Sequence, residues 1–250
     1  MTQPVITTFE RCEKKFVLTK KQYEILREKW KDIQIEDNYG MTHICNVYYD
    51  SEDYRLIRKS IEKPKYKEKF RLRSYGIPRE DSVVFLEIKK KVNGIVYKRR
   101  LPLVYKEAIE FLENPKLYQP HNQIGKEIKY MFELYDLKPK MFIAYDRIAT
   151  YNKDDKDLRI TFDFNIRSRE SDVELICGDY GTNVINEDKI LMEIKINQAF
   201  PRWILDDLEV LGIRPVSFSK YGTFYENKIK EEYQNNRLNE RRRMDICFQV

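Results

Sequence analysis

The chain has few of the residues that build structural metal sites or disulfide frameworks. It contains two histidines and four cysteines, and the cysteines are widely separated at Cys12, Cys45, Cys177 and Cys247. A zinc site or a disulfide-stapled fold is therefore not expected, because each needs closely spaced ligands or paired cysteines. Scattered free thiols indicate a reducing compartment.

Long apolar segments are also missing. No run of apolar residues approaches the ~18 needed to cross a bilayer as a helix, and no charged-then-apolar leader opens the chain. We therefore expect a cytoplasmic protein with no membrane span in this chain. Internal repeats and low-complexity linkers are absent as well, so residues 1–250 are predicted to form a single domain.

What the chain has in excess is charge. Charged residues make up 35% of the sequence, with 47 basic and 41 acidic side chains and a net charge of +6, against an ordinary charged share of about a quarter. A moderately basic balance indicates an anionic ligand, but it is smaller than dedicated nucleic-acid binders show, so DNA is not expected as a partner. Eighteen tyrosines and thirteen phenylalanines favour strands.

Hydrophobic periodicity divides the chain into strands and helices. Period-two alternation predicts strands at residues 5–18, 43–50, 66–75, 83–91, 95–103, 140–151, 158–167 and 189–197. Apolar stripes and capping residues predict helices at residues 20–31, 51–60, 103–112, 123–137, 201–211 and 221–242. Thr19 is the expected cap of the first helix, and Asn93-Gly94 is typical of a hairpin turn between two of the strands.

The polar faces of the predicted strands are mostly cationic. One strand places Lys67, Lys69, Arg71 and Arg73 on the same side, because alternate residues of a strand share a face. Six other strands show comparable rows, which contain Arg11, Glu13 and Lys15; Glu87, Lys89 and Lys91; Lys98 and Arg100; Tyr145 and Arg147; Arg159, Thr161 and Asp163; and Glu193, Lys195 and Asn197.

A single row of this kind is usually a solvated outer face. Seven rows with one predominant sign differ from ordinary surfaces, on which charges of both signs alternate. We therefore predict an α+β fold with antiparallel strands. If about eight of these strands closed into a β-barrel with helices outside, the cations would line the inside, but periodicity alone does not show closure. Such an interior has room for one slender ligand, and a linear polyanion fits it.

The residue types in these rows suit phosphate chemistry. Arginine can bind two phosphate oxygens at once, lysine supplies a point charge, and glutamates on the same faces suit Mg²⁺ or Mn²⁺. The residues alone leave open a non-catalytic polyphosphate or nucleotide sensor. An RNA-binding module is less favoured, because the rows lack the exposed aromatic platform that such modules use.

Several short motifs in order along the chain resemble those of the VTC domain, the polyphosphate polymerase module of the vacuolar transporter chaperone complex. This family lies in the triphosphate tunnel metalloenzyme (CYTH-like) superfamily. The motifs are Arg11-x-Glu13-x-Lys15-Phe16, Lys69-x-Arg71-x-Arg73, Glu87-x-Lys89, Tyr145-x-Arg147, Glu193-x-Lys195 and Ser219-Lys220-Tyr221. The resemblance extends from about Phe9 to Phe224.

The resemblance implies transfer of the γ-phosphoryl group of ATP to a growing polyphosphate chain, with Mn²⁺ or Mg²⁺ in the triphosphate tunnel fold. It also implies that about eight antiparallel strands close into a β-barrel, which we therefore expect. It implies a catalytic set consisting of Lys15, Arg71, Arg73, Lys89 and Arg147. Expected substrate-binding residues are Arg11, Lys69, Lys98, Arg100, Tyr145, Lys195, Ser219 and Lys220. Expected metal ligands are Glu193, Glu13 and Glu87. The predicted helix at 221–242 would flank or plug the tunnel.

The sequence departs from the superfamily pattern in two ways. The hydrolytic branch begins with Glu-x-Glu-x-Lys, and the first of these positions is Arg11, which favours the polymerase branch. Because Glu13 and Glu87 remain, a tunnel triphosphatase or polyphosphatase stays an alternative. The phosphate-sensing SPX domain and membrane helices of the eukaryotic polymerases do not occur in this sequence, so a membrane or regulatory partner is left unidentified.

Overall fold

A computed structural model describes residues 12–93, 95–197, 199–230 and 232 of the chain. Its strands are β1 Cys12–Thr19, β2 Gln34–Glu36, β3 Thr42–Asp50, β4 Tyr66–Tyr75, β5 Val83–Val92, β6 Ile95–Val104, β7 Lys138–Asn152, β8 Arg159–Arg169, β9 Thr182–Asn183, β10 Lys189–Ile196 and β11 Pro215–Val216. Its helices are α1 Lys20–Trp30, α2 Arg55–Ile61, α3 Tyr105–Glu113, α4 Gln123–Tyr135 and α5 Arg202–Val210. Residues 220–230 are also helical and are called α6.

The predicted elements are found, with ends that differ by a few residues, wherever they fall within the described residues. Thr19 caps α1 in a reciprocal capping box with Gln22, as its position before the apolar stripe predicts. The very short strands β2, β9 and β11 have too few residues to show a period and were not predicted. Residues 5–11 of the first predicted strand and the end of the predicted helix 221–242 lie outside the described residues.

All of the strands belong to one antiparallel sheet in the order β11-β1-β10-β8-β7-β3-β4-β5-β6, with β2 beside β7 and β9 beside β8. The prediction of a closed barrel is wrong for this part of the chain. Closure needs backbone pairing between the two edges, but β6 pairs only with β5. At the other edge β11 is two residues long and covers only Lys15 and Phe16 of β1. The antiparallel α+β architecture itself is as predicted.

The open sheet is nevertheless strongly curved. Strands β1 and β4 are five places apart in the strand order, which would separate them by about 24 Å in a flat sheet with strands ~4.8 Å apart. Yet Lys15 of β1 bonds to the carbonyl of Phe218, and Lys69 of β4 bonds to the hydroxyl of the next residue, Ser219. The sheet therefore wraps around the start of α6, and we call its inner side the concave face.

The convex side of the sheet holds two hydrophobic cores. Helices α3 and α4 cover the half formed by β3 to β6, where Phe70 and Leu86 are fully buried with Phe111 and Ile128. Helices α1 and α5 cover the half formed by β1, β8 and β10. Because these helices take the apolar side of each strand, the alternate charged residues are left on the concave face. No helix within the described residues is long and apolar enough to cross a membrane.

A third apolar cluster lies on the concave face itself, beneath α6. Tyr221 of this helix is 2% exposed and stacks on Tyr48, with ring centroids 4.9 Å apart. Its hydroxyl donates to a carboxylate oxygen of Asp50 at 3.0 Å. Asp50 is fully buried and also accepts the backbone N–H groups of Leu56 and Ile57 at the start of α2, at 2.8 and 3.0 Å. One carboxylate therefore joins β3, α2 and α6.

The role of Asp50 can be tested by its removal. Asp50→Ala leaves two α2 N–H groups and the Tyr221 hydroxyl without their acceptor, so we expect it to lower the free energy of unfolding by about 3–5 kcal/mol. Tyr221→Phe removes one of these bonds and should cost about 1 kcal/mol. Urea denaturation measures both, with Asp81→Ala at an exposed turn as a control that stays within ~0.5 kcal/mol. Equal losses for Asp50→Ala and Tyr221→Phe would show that Asp50 is not the anchor.

Candidate polyanion-binding site

The concave face brings together the predicted site residues that the structure describes. Fifteen of the sixteen fall within the described residues: Glu13, Lys15, Lys69, Arg71, Arg73, Glu87, Lys89, Lys98, Arg100, Tyr145, Arg147, Glu193, Lys195, Ser219 and Lys220. Arg11 lies outside them. The strands that carry them are neighbours in the sheet, and α6 adds its first residues from above.

Glu87 is the centre of the first group of charges. Its side chain is 2% exposed and forms ion pairs with Arg71 at 2.7 Å, Arg100 at 2.5 Å and Lys98 at 2.8 Å, with Arg73 at 3.7 Å. Burial alone raises the pKa of Glu87, but Arg71, Arg73 and Lys98 outweigh burial and hold that pKa well below its ordinary value. The carboxylate is therefore ionised, and it fixes the guanidinium groups in place.

This geometry does not favour the predicted role of Glu87 as a metal ligand. Oε2 accepts from Arg71 and Oε1 accepts from Arg100 and Lys98. A cation entering here would have to displace these donors and face their charge. Glu87 instead organises the basic residues around it.

Asp163 is the centre of a second group, on the floor of the concave face. It is fully buried, accepts two bonds from Arg147 at 2.5 and 2.8 Å, and accepts a third from Lys220 of α6 at 2.5 Å. Burial raises the pKa of Asp163, but Lys220 and Arg147 together lower it below its ordinary value. A buried carboxylate thus holds one cation from the sheet and one from the helix at fixed positions.

Tyr145 lies between the two groups and is 2% exposed. Its hydroxyl accepts from Arg73 at 3.0 Å, and Lys220 lies 4.2 Å from the ring centroid. Burial raises the pKa of Tyr145, but Arg73, Arg147 and Lys220 reverse this effect and lower the pKa to about 8. Arg73 also donates to Asn46 at 2.9 Å, so its guanidinium is positioned by two strands.

Glu13 and Glu193 form a third group together with lysines. Lys15 contacts Glu13 at 3.0 Å and Glu193 at 3.9 Å, and Lys195 contacts Glu193 at 2.6 Å. Burial and the negative charge of Glu193 raise the pKa of Glu13, but Lys89, Lys15 and Lys195 outweigh them and lower it below its ordinary value. Burial raises the pKa of Glu193, but Lys195 and Lys15 more than offset this effect and hold the pKa well below its ordinary value.

This third group fits a hard metal ion better than the other two. Mg²⁺ is commonly held by one or two carboxylates together with substrate phosphates and water. Thr161 lies directly across the strand pair from Glu193, and its buried hydroxyl oxygen has no hydrogen-bond partner among the described residues, as expected of a group that would meet a metal-bound water. Within the described residues, no three His, Cys, Asp or Glu side chains form a metal site by themselves, so a bound phosphate would have to complete the coordination.

Burial and the surrounding cations lower the pKa values of some lysines. Loss of solvation lowers the pKa of Lys69 to about 7, with further lowering by Lys67, Lys89, Lys15 and Arg71. Loss of solvation also lowers the pKa of Lys98 to about 8, although Glu87 acts against it. A polyanion would raise both values, because opposite charge favours the protonated form.

Sequence reasoning did not assign roles to Asn46, Tyr48, Thr161 or Asp163 in the predicted site. Asp163 shares a face with Arg159 in the sequence pattern, which left it equally a pairing partner of Arg159 or a metal ligand. In the structure its ion-pair partners are Arg147 and Lys220. The hydroxyl of Tyr48 accepts a hydrogen bond from the guanidinium of Arg71 at 3.1 Å. The contacts of Asp163 with Lys220 and of Tyr48 with Arg71 depend on strand register and on the position of α6.

A curved antiparallel sheet whose concave face concentrates cations around a few buried carboxylates has the charge distribution of a site for a polyanion. The family comparison agrees with such a site, since residues 10–230 match the VTC domain. The chain belongs to the VTC domain family. A search of curated proteins found no match.

Solved structures with a similar fold are distant in sequence. A candidate adenylate cyclase from Bacillus halodurans is 14% identical, with 83% of this chain and 92% of that chain covered and a TM-score of 0.52. A candidate adenylate cyclase from Vibrio parahaemolyticus is 11% identical, with 87% and 98% covered and a TM-score of 0.46. The triphosphatase of the mimivirus capping enzyme is 11% identical, with 80% and 86% covered and a TM-score of 0.32. The first likeness shows a shared fold, and we draw nothing from the other two.

The lowered pKa of Tyr145 gives a pH-dependent prediction. The ultraviolet difference absorbance of tyrosinate should show a transition near pH 8 that Tyr145→Phe abolishes and Tyr39→Phe, at an exposed site, retains. Because the pKa of Tyr145 in the folded chain, about 8, lies below the ordinary value of 10, the folded chain releases this proton at a lower pH than the unfolded chain does. Its stability relative to Tyr145→Phe should therefore rise between pH 8 and 10 and lose this gain as the pH falls through 8. A transition seen only near pH 10 or above would contradict the assignment.

Proposed function

We propose that this protein is a metal-dependent polyphosphate polymerase that transfers the γ-phosphoryl group of ATP to the end of a polyphosphate chain. The observation that carries the proposal is the concave face, on which cations from β1, β4 to β7, β10 and α6 are brought together. A nucleoside triphosphate and a linear polyphosphate are the anions whose charge density suits such a surface. Membership of the VTC domain family supports the same proposed function.

In this proposal the reaction is an in-line displacement. A terminal oxygen of the polyphosphate attacks the γ-phosphorus of ATP, the bond from that phosphorus to the β–γ bridging oxygen breaks, and ADP leaves with that electron pair. The chain gains one phosphate, and no oxidant or reductant is involved. Little covalent chemistry is required of the protein, so positioning and charge stabilisation supply most of the catalysis.

We assign the arginines to the phosphoryl groups. Arg71 and Arg73 are held by Glu87, Asn46 and Tyr145, and Arg147 is held by Asp163. Planar guanidinium groups that are already fixed lose little freedom when they bind two phosphate oxygens. Lys15, Lys89, Lys98 and Lys220 add point charges around the same space, and Lys69, Arg100, Lys195 and Ser219 complete the proposed substrate contacts.

We assign the Mn²⁺ or Mg²⁺ to Glu193 and Glu13. When bound, the ion would neutralise charge on the transferring phosphoryl group. The low pKa of Glu193 keeps this carboxylate ionised and ready to bind a cation. The hydroxyl of Thr161 could hold a water of the coordination shell, because it lies beside Glu193 and lacks any other partner.

A triphosphatase or polyphosphatase is the second candidate function. Glu13 and Glu193 together could orient a water molecule towards the γ-phosphorus instead of leaving that position to an acceptor phosphate. A non-catalytic polyphosphate sensor would use the same cations and show no turnover. The three functions differ in their products.

Incubation with ATP labelled on the γ-phosphate and Mn²⁺, followed by gel separation of the products, distinguishes these functions. We expect a ladder of labelled chains longer than the three phosphates of ATP, because the fixed cations align donor and acceptor. Glu193→Ala should abolish the ladder and weaken Mn²⁺ binding, measured by electron paramagnetic resonance, without changing the thermal unfolding midpoint by more than a few degrees.

The matched control is Glu24→Ala, which removes an exposed glutamate from α1 and should leave both readouts unchanged. Release of labelled inorganic phosphate alone would contradict the polymerase and favour the hydrolase. Tight binding of ATP with no labelled product would favour the sensor. Unchanged Mn²⁺ binding and activity in Glu193→Ala would overturn the metal assignment.

A further inference from the structure

Lysines face one another across strands β4 and β5 at one end of the concave face. Lys69 is directly opposite Lys89, and Lys67 is directly opposite Lys91. Like charges in directly opposed positions of an antiparallel pair are destabilising. We call these four residues the lysine ladder, and their arrangement costs the isolated protein stability unless a ligand offsets it.

The ladder differs from the other cations of the concave face because none of its lysines forms an ion pair within the described residues, although Glu13 and Glu193 attract Lys89 from a greater distance. Arg71, Arg73 and Arg100 share Glu87 at the other end of the same strands. In the described part of the chain, no carboxylate lies within ion-pair distance of any ladder lysine. Their hydrogen-bond partners are neutral, since Lys69 donates to the Ser219 hydroxyl at 2.9 Å and Lys67 to the Ser60 carbonyl at 3.1 Å.

The electrostatic environment of Lys67 agrees with a shortage of negative charge at the outer end of the ladder. Burial lowers the pKa of Lys67, and the neighbouring charges that lower it further are Lys91, Lys63 and Lys15. Lys63 is exposed, as is Lys65, whose carbonyl accepts the N–H of Asn93 in the β5–β6 hairpin. The positive charge therefore continues from the interior of the concave face to the surface beside this hairpin.

The two ends of the strands also differ in chemistry. Arginines at the Glu87 end can hold two phosphate oxygens in a fixed geometry, whereas lysines bind as flexible point charges with no preferred orientation. Fixed guanidinium groups suit the phosphoryl groups that react. Flexible point charges suit a chain that must shift along the surface as it grows, because one phosphate can replace another without a change in geometry.

We propose that the outer pair of the lysine ladder, Lys67 and Lys91, is a separate subsite for the part of a long polyphosphate chain that extends away from the reacting phosphates, and that the chain leaves the concave face beside the β5–β6 hairpin. This inference rests on the proposed function and extends it to the preferred acceptor: long chains, which reach the ladder, bind more tightly than short ones.

The test removes the outer pair of the ladder, which is not in the proposed catalytic set. In Lys67→Gln/Lys91→Gln the side-chain length and polarity are kept and two charges are lost. We expect binding of long-chain polyphosphate, measured by calorimetry at low salt, to weaken about tenfold and its salt dependence to decrease by about 1.5 in log–log slope. The affinity for inorganic tripolyphosphate should change less than twofold, because three phosphates are held at the Glu87 end.

A second measurement needs no ligand. Relief of the like-charge repulsion should raise the thermal unfolding midpoint of Lys67→Gln/Lys91→Gln in the absence of polyanions. The matched control is Lys14→Gln/Lys90→Gln, which removes two lysines of β1 and β5 that lie on the convex side of the sheet. The control should show neither the chain-length effect nor the stabilisation, because Lys90 has a carboxylate partner in Glu127 and Lys14 is exposed.

The outcomes separate this inference from the proposed function. If the unaltered protein binds both ligands and the double variant loses affinity for long chains alone, the subsite is supported. Equal loss for tripolyphosphate and long chains, or no loss for either, overturns the subsite and leaves the proposed function standing. If the unaltered protein binds neither ligand, the proposed function fails and the subsite fails with it.

Discussion

The rest of the structure depends on the sharing of a few buried carboxylates among many cations. A concave surface lined by lysine and arginine would repel itself if it were left uncompensated. Glu87 binds Arg71, Lys98 and Arg100, and Asp163 binds Arg147 and Lys220. Each of these carboxylates is nearly or completely inaccessible to solvent, so its interactions are little screened by salt. The positive charge that remains after this compensation is available to a ligand.

The same carboxylates connect the fold to the site. Asp163 ties β8 to α6, and Asp50 ties β3 and α2 to the same helix. The start of α6 is therefore held against the floor of the concave face, which brings Ser219 and Lys220 to the phosphate-binding side chains although they lie far away in sequence. The open sheet reaches a high curvature around this helix without backbone pairing between its edges. Fixed arginines at one end and unpaired lysines at the other then give the surface a direction along which a growing chain could extend.

Local patterns in the sequence predicted much of this arrangement. Period-two alternation placed Lys69, Arg71 and Arg73 on one face, and the strands that carry them are found, because the spacing of side chains along a strand is a local property. Closure of the sheet was predicted wrongly, since edge pairing depends on curvature and on contacts that no single strand encodes. The contact of Asp163 with Lys220 could not be predicted, because it depends on where α6 packs against the sheet. The contacts of Glu87 with Arg71 and Arg100 follow instead from the register of neighbouring strands. Arg11 lies outside the described residues, so its predicted role remains a prediction.

A crystal structure with inorganic tripolyphosphate and Mn²⁺ tests the central claim most directly, which is that the concave face is the phosphate-binding site. We predict phosphate density in contact with the guanidinium groups of Arg71, Arg73 and Arg147, and an anomalous Mn²⁺ signal beside Glu193. Phosphate bound only on the convex side, or a concave face that stays free of phosphate at saturating ligand, would contradict it.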